Sequence, residues 1–456
     1  MMKLSDFAAA IGGTLVGNDT EVLSVGSDTR ALSAGQLFVA LRGEHFDGHT
    51  FLAQAAAGGA AAALIDAAHA TDDLPLPCVV VPDTRLALGA LAAWWRARFA
   101  LPLIGITGSN GKTSVKEMCA AILRAQVRLD GGDESAVLAT VGNLNNDIGL
   151  PLMLLRLRPA HRFAVIEMGM NHPGEIEYLT RIAQPTVALV NNAQRAHLAG
   201  MGGLDAVAIE KGAIYLGLTD AGVAVVNADD PHADLWRASN AQRTTVSFAT
   251  ERDADVRARA GLNPLDARVS LSTAQGNIDF TLHVPGAHNV RNAAAAAAAT
   301  LAAGVSLAAV ADGLGGYGGT KGRLQVRAGY AGATILDDTY NANPDSVRAG
   351  IDVLAMTPGR KVFVFGDMGE IGDRAAQYHD EVGGYAKSQG VDLLFALGEH
   401  AEVAARNFGE GGQHYGSAES LIAALRAALT PDTVVLVKGS RFMKMERIAD
   451  AIALAG

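Results

Sequence analysis

Cysteine is nearly absent from this chain of 456 residues, which contains only Cys78 and Cys119, far apart in the sequence. Two cysteines are too few for a disulfide framework, and their separation is not a metal-ligand spacing. A chain without disulfides suits a reducing compartment, so we expect a cytoplasmic protein.

Long apolar runs are also missing. The first residues, MMKLSDFAAAIGG, contain neither a basic leader nor a continuous apolar segment of the kind that directs export. The longest apolar stretch, 54–65, is rich in alanine and glycine and is too short to cross a bilayer. We therefore expect no membrane span and no export.

An excess of positive charge is absent as well, because 37 lysine and arginine residues stand against 47 aspartate and glutamate residues, a formal net charge of −10. Non-specific nucleic-acid binding needs a broad basic surface, so the charge excludes a nucleic-acid partner of that kind. Any anionic ligand must be held by a local cluster of cations.

Small and aliphatic residues are abundant. Apolar residues make up 49% of the chain, aromatic residues 5%, and there are 52 glycines, which is typical of an alanine- and glycine-rich α/β enzyme. The length allows about three domains. Short apolar runs alternate with helical segments in three successive stretches, which predicts α/β domains at 1–99, 100–322 and 323–456.

A glycine-rich loop between a strand and a helix is the most informative motif. The strand Leu103–Thr107 precedes it, and an amphipathic helix begins at Thr113. In this setting backbone N–H groups and the helix dipole hold phosphate, lysine neutralises its charge, and the hydroxyl can bind Mg²⁺. The spacing departs from the usual one, since Ile106 stands five residues before Gly111, and a purely structural turn is the alternative. The motif predicts ATP or GTP binding by Gly108, Ser109, Asn110, Gly111, Lys112 and Thr113.

Two polar residues follow later strands of the same predicted sheet. Glu167 ends the run 163–167, where an acidic Mg²⁺ ligand is expected, and His197 lies a few residues after Val187–Val190. Ligands gather at the carboxyl ends of parallel strands, so both are candidate metal ligands. A lone histidine is also common without any such role, and Lys211 by itself resembles a solvated helix lysine.

With these residues in place, the sequence resembles the Mur ligase family over nearly its whole length. The resemblance is carried by SDTR, FVALRGEHFDGHTF, TGSNGKTSVKE, TVGNLNNDIGLP, VIEMGMNHPGEI, NNAQRAHL, PGAHNVRNAAAA, LDDTYNANPDS, GDMGEIG and VKGSR, in that order. The phosphate loop is shared by all Mur ligases and by folylpolyglutamate synthases, whereas GNLNNDIG and DDTYNANP are typical of the members that add D-alanyl-D-alanine. The resemblance implies three domains: a small N-terminal α/β domain for a UDP-sugar, a central P-loop ATPase with a parallel sheet, and a C-terminal Rossmann-like domain.

The activity implied by the resemblance is ATP-dependent peptide ligation. UDP-MurNAc-tripeptide and D-Ala-D-Ala would be joined through an acyl phosphate, giving the UDP-MurNAc-pentapeptide precursor of peptidoglycan for cell-wall growth and cell division. The implied cofactors are ATP and two Mg²⁺ ions, and the implied enzyme is a monomer. The alternatives are another Mur ligase, a folylpolyglutamate synthase, or a silent nucleotide-binding regulator that would lack Lys112, Glu167, His197 or Lys211.

The resemblance also implies roles around the triphosphate and the metal. Lys112 matches the lysine at the β/γ-phosphates, and Arg323 matches the arginine that reaches the γ-phosphate. The implied catalytic residues are Lys112, Lys211, His197 and Arg323. The implied metal ligands are Thr113, Glu167, His197 and Lys211. Lys211 matches a lysine that is typically carbamylated, which turns a cation into an anion able to lie beside Mg²⁺.

Other residues match the base, the sugar and the two acyl substrates. Asn289 and Asn292 match positions near adenine, with helix capping by Asn289 as the alternative, and Asp338 matches the acid at the ribose. The implied substrate contacts are Thr29 and Arg30 with the loop 42–49 for the UDP-sugar, Thr140, Asn143, Asn145 and Asn146 for the muramyl peptide, and Asn341 and Asn343 near the dipeptide. Asn-x-Asn-Pro is also ordinary turn chemistry. Lys438 and Arg441 are candidates for closing over ligand, with plain surface charge as the alternative.

The sequence departs from the family pattern in three places. After His197 the family usually has an acidic residue followed by Gly-Phe-Gly-Ser, whereas this chain has residues 198–203, LAGMGG. Ala213 stands where glutamate is common. The segment 129–137 is longer than usual, and we expect it to be a surface excursion.

Overall fold

The computed structural model describes residues 1–196 and 198–454, whose strands form three main sheets and one two-stranded sheet. One main sheet falls within each of the three predicted domain ranges, here called the first, central and third regions. The α/β class is confirmed, and the exact limits of the domains stay a prediction. Among the described helices, none combines the length and apolarity needed to cross a membrane.

The first region contains a five-stranded sheet in the order β2-β7-β6-β5-β4, and β1 pairs with β3 beside it. Its elements are β1 (Met2–Lys3), α1 (Leu4–Ile11), β2 (Thr14–Val16), β3 (Glu21–Val22), β4 (Ser24–Gly26), β5 (Gln36–Val39), α2 (Leu52–Ala57), β6 (Ala62–Asp66), β7 (Cys78–Val81) and α3 (Thr84–Arg96). The aspartate before α3, Asp83, accepts hydrogen bonds from the N–H groups of Arg85 and Leu86 and so caps the helix.

The central region contains a nine-stranded sheet in the order β16-β15-β14-β13-β12-β11-β8-β10-β9. Its elements are β8 (Leu103–Thr107), α4 (Lys112–Leu129), β9 (Val137–Ala139), α5 (Gly149–Leu154), β10 (Phe163–Glu167), α6 (Glu175–Ala183), β11 (Val187–Val190), α7 (Leu198–Met201), α8 (Leu204–Gly212), β12 (Val223–Asn227), α9 (Ala233–Ser239), β13 (Thr244–Ala249), β14 (Val256–Leu262), β15 (Ala267–Thr273), β16 (Gly276–Leu282), α10 (Ala287–Ala302) and α11 (Leu307–Gly315).

The central sheet is parallel from β9 to β14, as predicted, and ends in the antiparallel pairs β14–β15 and β15–β16. Four residues or fewer join these last strands, and connections so short can only reverse the chain direction. The predicted surface excursion at 129–137 is confirmed for residues 129–135, which are exposed, whereas Val137 is buried at the start of β9.

The alanine run of α10 is a packing feature. All seven residues from Ala293 to Ala299 have no exposed surface. Their methyl groups let α10 lie between α4 and the strands β11–β14. This packing helps to position the start of α4, which follows the glycine-rich loop.

The third region contains a six-stranded sheet in the order β17-β18-β22-β19-β20-β21, parallel except for the edge pair β17–β18. Its elements are β17 (Gln325–Ala328), β18 (Thr334–Asp338), α12 (Pro344–Met356), β19 (Arg360–Gly366), α13 (Ala375–Ser388), β20 (Leu393–Leu397), α14 (Ala401–Phe408), β21 (Gly412–Tyr415), α15 (Ala418–Ala428), β22 (Thr433–Lys438) and α16 (Glu446–Ile452). Its buried apolar side chains form two clusters of their own.

Short 3₁₀ helices occur in the connections of all three regions. They are Thr29–Ala31, Gly48–Phe51, Ala67–His69, Glu134–Ala136, Ala213–Gly217, Tyr330–Gly332, Gly372–Arg374 and Arg441–Met443.

The first and central regions share one buried apolar cluster, which runs from Leu4 to Trp236. Helix α3 belongs to the first region by sequence, yet it packs against α5 and α6 of the central region. The indole Nε1 of Trp95 donates to the carbonyl of Leu157 at 3.1 Å, and Arg96 Nε donates to the carbonyl of Ala183 at 3.0 Å. We call this contact the apolar seam.

Candidate active site

The glycine-rich loop lies at the centre of the sheet, where β8 ends between β10 and β11. The end of β11 supports the loop through asparagine side chains. Asn192 Oδ1 accepts from the Asn110 N–H at 2.9 Å, and Asn191 Nδ2 donates to the Asn110 carbonyl at 2.9 Å. The loop is therefore held in shape without ligand, and the first N–H groups of α4 remain directed at its concave side.

Gly111 permits a close approach between this loop and helix α10. Its φ of 79° lies in the left-handed region, and a Cβ there would collide with the side-chain amides of Asn292 and Asn191. Asn191 Nδ2 also donates to Asn292 Oδ1 at 3.0 Å. The residues predicted for phosphate and for adenine are thus joined through one asparagine.

Two cations reach the loop from different sides. Lys112 Nζ folds back and donates to the carbonyl of Gly108 at 2.7 Å, and Arg323 donates from its NH2 group to Thr113 Oγ1 at 3.2 Å. Desolvation lowers the pKa of Lys112, and Glu167 partly offsets this effect. A bound phosphate would replace the carbonyls as the partner of Lys112, because charged hydrogen bonds to oxyanions are stronger.

Glu167 is buried at the end of β10, with 2% of its surface exposed. Its Oε1 accepts from Asn145 Nδ2 at 2.7 Å, and its backbone N–H donates to Thr140 Oγ1 at 3.0 Å. Its other oxygen, Oε2, is buried and has no hydrogen-bond partner among residues 1–196 and 198–454. A buried carboxylate oxygen without a donor is suited to a cation, so Glu167 fits the predicted role of metal ligand.

Lys211 is buried in α8, with 1% of its surface exposed. Burial, with a smaller contribution from the charge of Lys112, lowers its pKa well below the usual value. The neighbouring Glu210 is engaged elsewhere, because it accepts from the N–H groups of Gly174 and Ile176 at 2.8 and 2.9 Å. The interpretation of Lys211 as a solvated lysine is therefore wrong. His197 lies outside the described residues.

The residues predicted for the nucleoside lie on α10 and at the end of β18. Asn289 Nδ2 donates to the carbonyl of Pro285 at 2.8 Å, and the helix is capped by Gly286, so the alternative of capping by Asn289 is wrong. Asp338 is paired with the ammonium group of Lys438. His288, between these groups, has a pKa lowered to about 4 by burial.

The third region meets the loop through polar contacts, which we call the polar seam. Asn343 Nδ2 donates to Asn110 Oδ1 at 2.7 Å, while Asn343 Oδ1 caps α12 by accepting from the Ser346 N–H at 2.9 Å. Asn343 therefore caps a helix, as its turn motif indicates, and also contacts the phosphate loop. Arg195 binds Asp345 through its backbone N–H at 2.8 Å and its NH2 group at 2.6 Å.

A cleft of about 930 Å³ joins these groups. It is lined by the predicted residues Ser109, Asn110, Gly111, Lys112, Asn143, Asn145, Asn146, Glu167, Asn289, Asn292, Arg323, Asp338, Asn341, Asn343, Lys438 and Arg441. The cleft also includes Arg85 from the first region, which forms an ion pair with Asp147. Side chains from all three regions therefore face one space large enough for several ligands.

Thr29 and Arg30 are not among the residues that line this cleft. They lie in a 3₁₀ helix in which Thr29 is half-buried and Arg30 is exposed, and Arg30 pairs with Asp28 at 2.8 Å. Thr140 is buried beneath the cleft, with 1% of its surface exposed. The structure therefore brings the asparagines of the predicted muramyl-peptide channel to the phosphate loop, but it does not bring Thr29 and Arg30 there.

The loop 42–49 is ordered by a cluster of Asp47, His49 and His69 whose spacing could hold a metal ion. His49 Nε2 accepts from the Asp66 N–H at 3.1 Å, so its proton is on Nδ1, which lies 2.6 Å from Asp47 Oδ1. Both nitrogens are thus used. The two rings are stacked at 4.0 Å and cannot direct lone pairs at one ion. We interpret the cluster as a brace for the loop.

Several site residues escaped the sequence prediction. Arg195, Gln194 and His288 lie within the strings NNAQRAHL and PGAHNVRN, but no spacing rule separates them from their neighbours. Gln194 Oε1 accepts from Asn110 Nδ2 at 2.7 Å. Their position just after a strand end or at a helix start is the only signal that could have identified them.

A phosphate loop after the central strand of a largely parallel sheet, opposite a second α/β unit, defines a P-loop nucleotide-binding protein. Three family descriptions match successive parts of the chain: "Mur ligase family, catalytic domain" over residues 21–96, "Mur ligase middle domain" over 106–300 and "Mur ligase, glutamate ligase domain" over 322–441. The chain belongs to the Mur ligase family.

Individual relatives are similar over almost the full length. The UDP-N-acetylmuramoyl-tripeptide–D-alanyl-D-alanine ligase of Escherichia coli strain K12 is 41% identical over 455 residues, 99% of this chain and 98% of its own. A crystal structure of MurF from Acinetobacter baumannii has a TM-score of 0.90 and 38% identity, and covers 99% of this chain and 98% of its own. MurF from Thermotoga maritima in complex with ADP has a TM-score of 0.80 and 26% identity, with coverages of 94% and 96%.

Proposed function

We propose that this protein is an ATP-dependent ligase that joins D-Ala-D-Ala to UDP-MurNAc-tripeptide and forms the UDP-MurNAc-pentapeptide precursor of peptidoglycan. The observation that carries the proposal is the convergence of the phosphate loop, Glu167, Arg323 and the asparagines of GNLNND and YNANP on one cleft. The full-length similarity to the UDP-N-acetylmuramoyl-tripeptide–D-alanyl-D-alanine ligase of Escherichia coli supports the choice of substrates. We propose that it works in the cytoplasm as a monomer.

The first chemical step must activate a carboxylate, which is a poor acyl donor because its negative charge repels nucleophiles. The terminal carboxylate oxygen of the tripeptide attacks the γ-phosphorus of ATP, the bond to the β-phosphate oxygen breaks, and ADP leaves. The product is an acyl phosphate, which has a good leaving group. Such a transfer depends mainly on alignment and on neutralisation of the phosphate charge.

Lys112 and Arg323 supply that neutralisation in the proposed mechanism. Both lie at the loop, and Arg323 comes from the junction with the third region, so it can follow the γ-phosphate as the third region moves. The N–H groups at the start of α4 hold the phosphate oxygens. Groups fixed before the reaction need no rearrangement, which is the main source of their catalytic effect.

Mg²⁺ would be held by Glu167 through its unpartnered Oε2 and by the Thr113 hydroxyl, with His197 as a further ligand. When bound, the ion neutralises charge on the β- and γ-phosphate oxygens and helps to orient them. The hydrogen bond from Arg323 uses one of the two lone pairs of Thr113 Oγ1, and the other is left for a cation.

The second step forms the amide. The amine of D-Ala-D-Ala attacks the acyl carbon, a tetrahedral intermediate collapses, and inorganic phosphate leaves while the nitrogen loses a proton. The dipeptide is proposed to lie between Asn341, Asn343 and Arg441 of the third region and the phosphate loop. Because these groups belong to separate regions, closure of the cleft would bring amine and acyl phosphate together and exclude water.

We further propose that Lys211 carries a carbamate. Carbamate formation requires a neutral amine, and burial lowers the pKa of Lys211, which raises the neutral fraction near pH 7. The modification would place an anion near Lys112, where a protonated Lys211 would repel it. The anion could also support the second Mg²⁺ ion of the proposed site.

A phosphate-release assay tests the function. We expect release only when ATP, UDP-MurNAc-tripeptide and D-Ala-D-Ala are all present, with tripeptides ending in meso-diaminopimelate and in L-lysine compared side by side. Equal turnover with free D-Ala or an L-amino acid would refute the proposed acceptor. Glutamate addition to a folate would favour the synthase alternative instead.

A labelling experiment tests the carbamate. With ¹³CO₂ we expect a carbamate carbon signal by NMR that is lost in Lys211→Ala, and we expect a short carboxylic acid to restore part of the lost activity. Lys116→Ala is the labelling control, because Lys116 is as buried as Lys211. This variant should keep the carbamate signal. Restoration by an added amine rather than an acid would contradict carbamylation.

A further inference from the structure

The side chain of Asn145 lines the cleft, and its amide group contacts Glu167. It is 8% exposed. Its Nδ2 donates to Glu167 Oε1 at 2.7 Å and to Asn143 Oδ1 at 3.1 Å, so both amide protons are used. An amide held in this way has no donor left for a substrate. The expected contact of Asn145 with the muramyl peptide stays a prediction.

The backbone of Asn145 is fixed to the same segment that carries Glu167. The Asn145 carbonyl accepts from the Gly169 N–H at 2.8 Å, and its N–H donates to the Asn143 carbonyl at 2.9 Å. A Cβ at Gly169 would lie 3.0 Å from Asn145 Oδ1, so the two segments pack with little free space. Asn145 therefore cannot move away from Glu167 without breaking backbone hydrogen bonds.

A second line of contacts joins Glu167 to the helix of the phosphate loop. Thr140 Oγ1 accepts from the Glu167 N–H at 3.0 Å, and the Thr140 carbonyl accepts from Lys116 Nζ at 2.8 Å. Lys116 is 1% exposed and lies one helical turn after Lys112 on α4. The helix that positions Lys112 and Thr113 is thus tied to the strand end that positions Glu167.

We propose that Asn145, supported by Thr140 and Lys116, is a positioning residue that holds one oxygen of Glu167 and leaves the other directed at the metal. The hydrogen bond from Asn145 uses up Oε1 and fixes the rotation of the carboxylate, which keeps Oε2 free for a cation. Partners of metal ligands commonly contribute in this way to metal affinity. The inference rests on the proposed function only in taking Glu167 as a metal ligand.

Binding of Mn²⁺ with ADP, followed by electron paramagnetic resonance, tests the role without any acyl substrate. We expect Asn145→Ala to weaken Mn²⁺ binding by about 10- to 100-fold. Asn171→Ala is the matched control, since Asn171 also lines the cleft but is exposed and donates nothing to Glu167. Its Mn²⁺ affinity should equal that of the unchanged protein.

Thr140→Val and Thr140→Ser give a second, nearly isosteric test. We expect the valine variant, which lacks the hydroxyl acceptor, to lose Mn²⁺ affinity, and the serine variant to keep it. In steady-state assays Asn145→Ala should raise the Mg²⁺ concentration needed for half-maximal rate while the KM for the UDP-sugar stays unchanged. Unaltered Mn²⁺ binding in Asn145→Ala, or a raised KM alone, would overturn the proposal. If Mn²⁺ binding changes in the variants as expected but the unchanged protein releases no phosphate with its proposed substrates, the proposed function is refuted and the role of Asn145 stands.

Discussion

The two contacts that join the three regions differ in chemistry. At the apolar seam, α3 packs on α5 and α6 within a buried cluster that continues from the first region into the central one. At the polar seam, Asn343 and Asp345 of the third region meet Asn110 and Arg195 through hydrogen bonds and an ion pair. The apolar clusters of the third region are separate from those of the other two.

Because of this difference, we expect the polar seam to open more easily than the apolar seam. Apolar surface that leaves water contributes about 25 cal/mol per Å², and opening the apolar seam would lose that contribution. Polar groups at the polar seam can exchange partners with water, so each contact there is worth about 1 kcal/mol or less. We infer that the first and central regions move as one body and that closure of the cleft uses the third region.

The largest expected effect comes from the apolar seam. Trp95 is buried, lies edge-on to Phe99 at 5.4 Å and donates to the Leu157 carbonyl. Trp95→Ala should lower the free energy of unfolding of the full chain by about 3–5 kcal/mol, measured by urea titration. Leu86→Ala, on an exposed residue of the same helix, should change it by less than about 0.5 kcal/mol. A similar small loss in both variants would mean that the seam contributes little.

An intermediate effect concerns pH at the polar seam. His288 is half-buried near Asp338, Lys438 and Asp352 of the third region and Arg291 of its own helix, and desolvation lowers its pKa from 6.5 to about 4. Between these values the unfolded chain binds more protons than the folded chain. The contribution of His288 to the free energy of unfolding is therefore complete above pH 6.5. It falls towards pH 4 by at most about 1.4 kcal/mol per pH unit.

Replacement of the histidine isolates that contribution. We expect His288→Asn to reduce the loss of unfolding free energy between pH 6.5 and 5.5, measured by urea titration at both values. His45→Asn, on an exposed residue of the first region, is the control and should leave the loss unchanged. An unchanged pH dependence in His288→Asn would show that this histidine stays accessible to protons and that the polar seam is already open.

The smallest effect on stability is expected from Arg195. Arg195→Ala removes the side-chain contacts with Asp345 and keeps the backbone N–H donor, so it should change the free energy of unfolding by no more than about 1 kcal/mol. Small-angle scattering should nevertheless detect a larger radius of gyration, because the third region would be less firmly held. The exchanged pair Arg195→Asp with Asp345→Arg should recover compactness. A loss of stability as large as that of Trp95→Ala would remove the distinction between the two seams.

Much of the central site follows from local sequence. The phosphate loop, Glu167 and the buried alanine helix were predictable because each depends on a strand, a turn or a helix start that neighbouring residues specify. The contact of Asn145 with Glu167 could not be predicted, because it depends on how the chain returns 22 residues later. The apolar face of α3 gives no indication in sequence of which region it packs against, so the seam also had to come from the structure.

The alanine run of α10 has a consequence for the length of the ligand that this cleft can accept. A helix face that carries only methyl groups has no rotamers through which its thickness can vary. The side-chain amides of Asn289 and Asn292 near its start are therefore held at a nearly constant distance from the loop at the start of α4. The alanine run would thereby limit the length of nucleotide that fits between these amides and the phosphate loop.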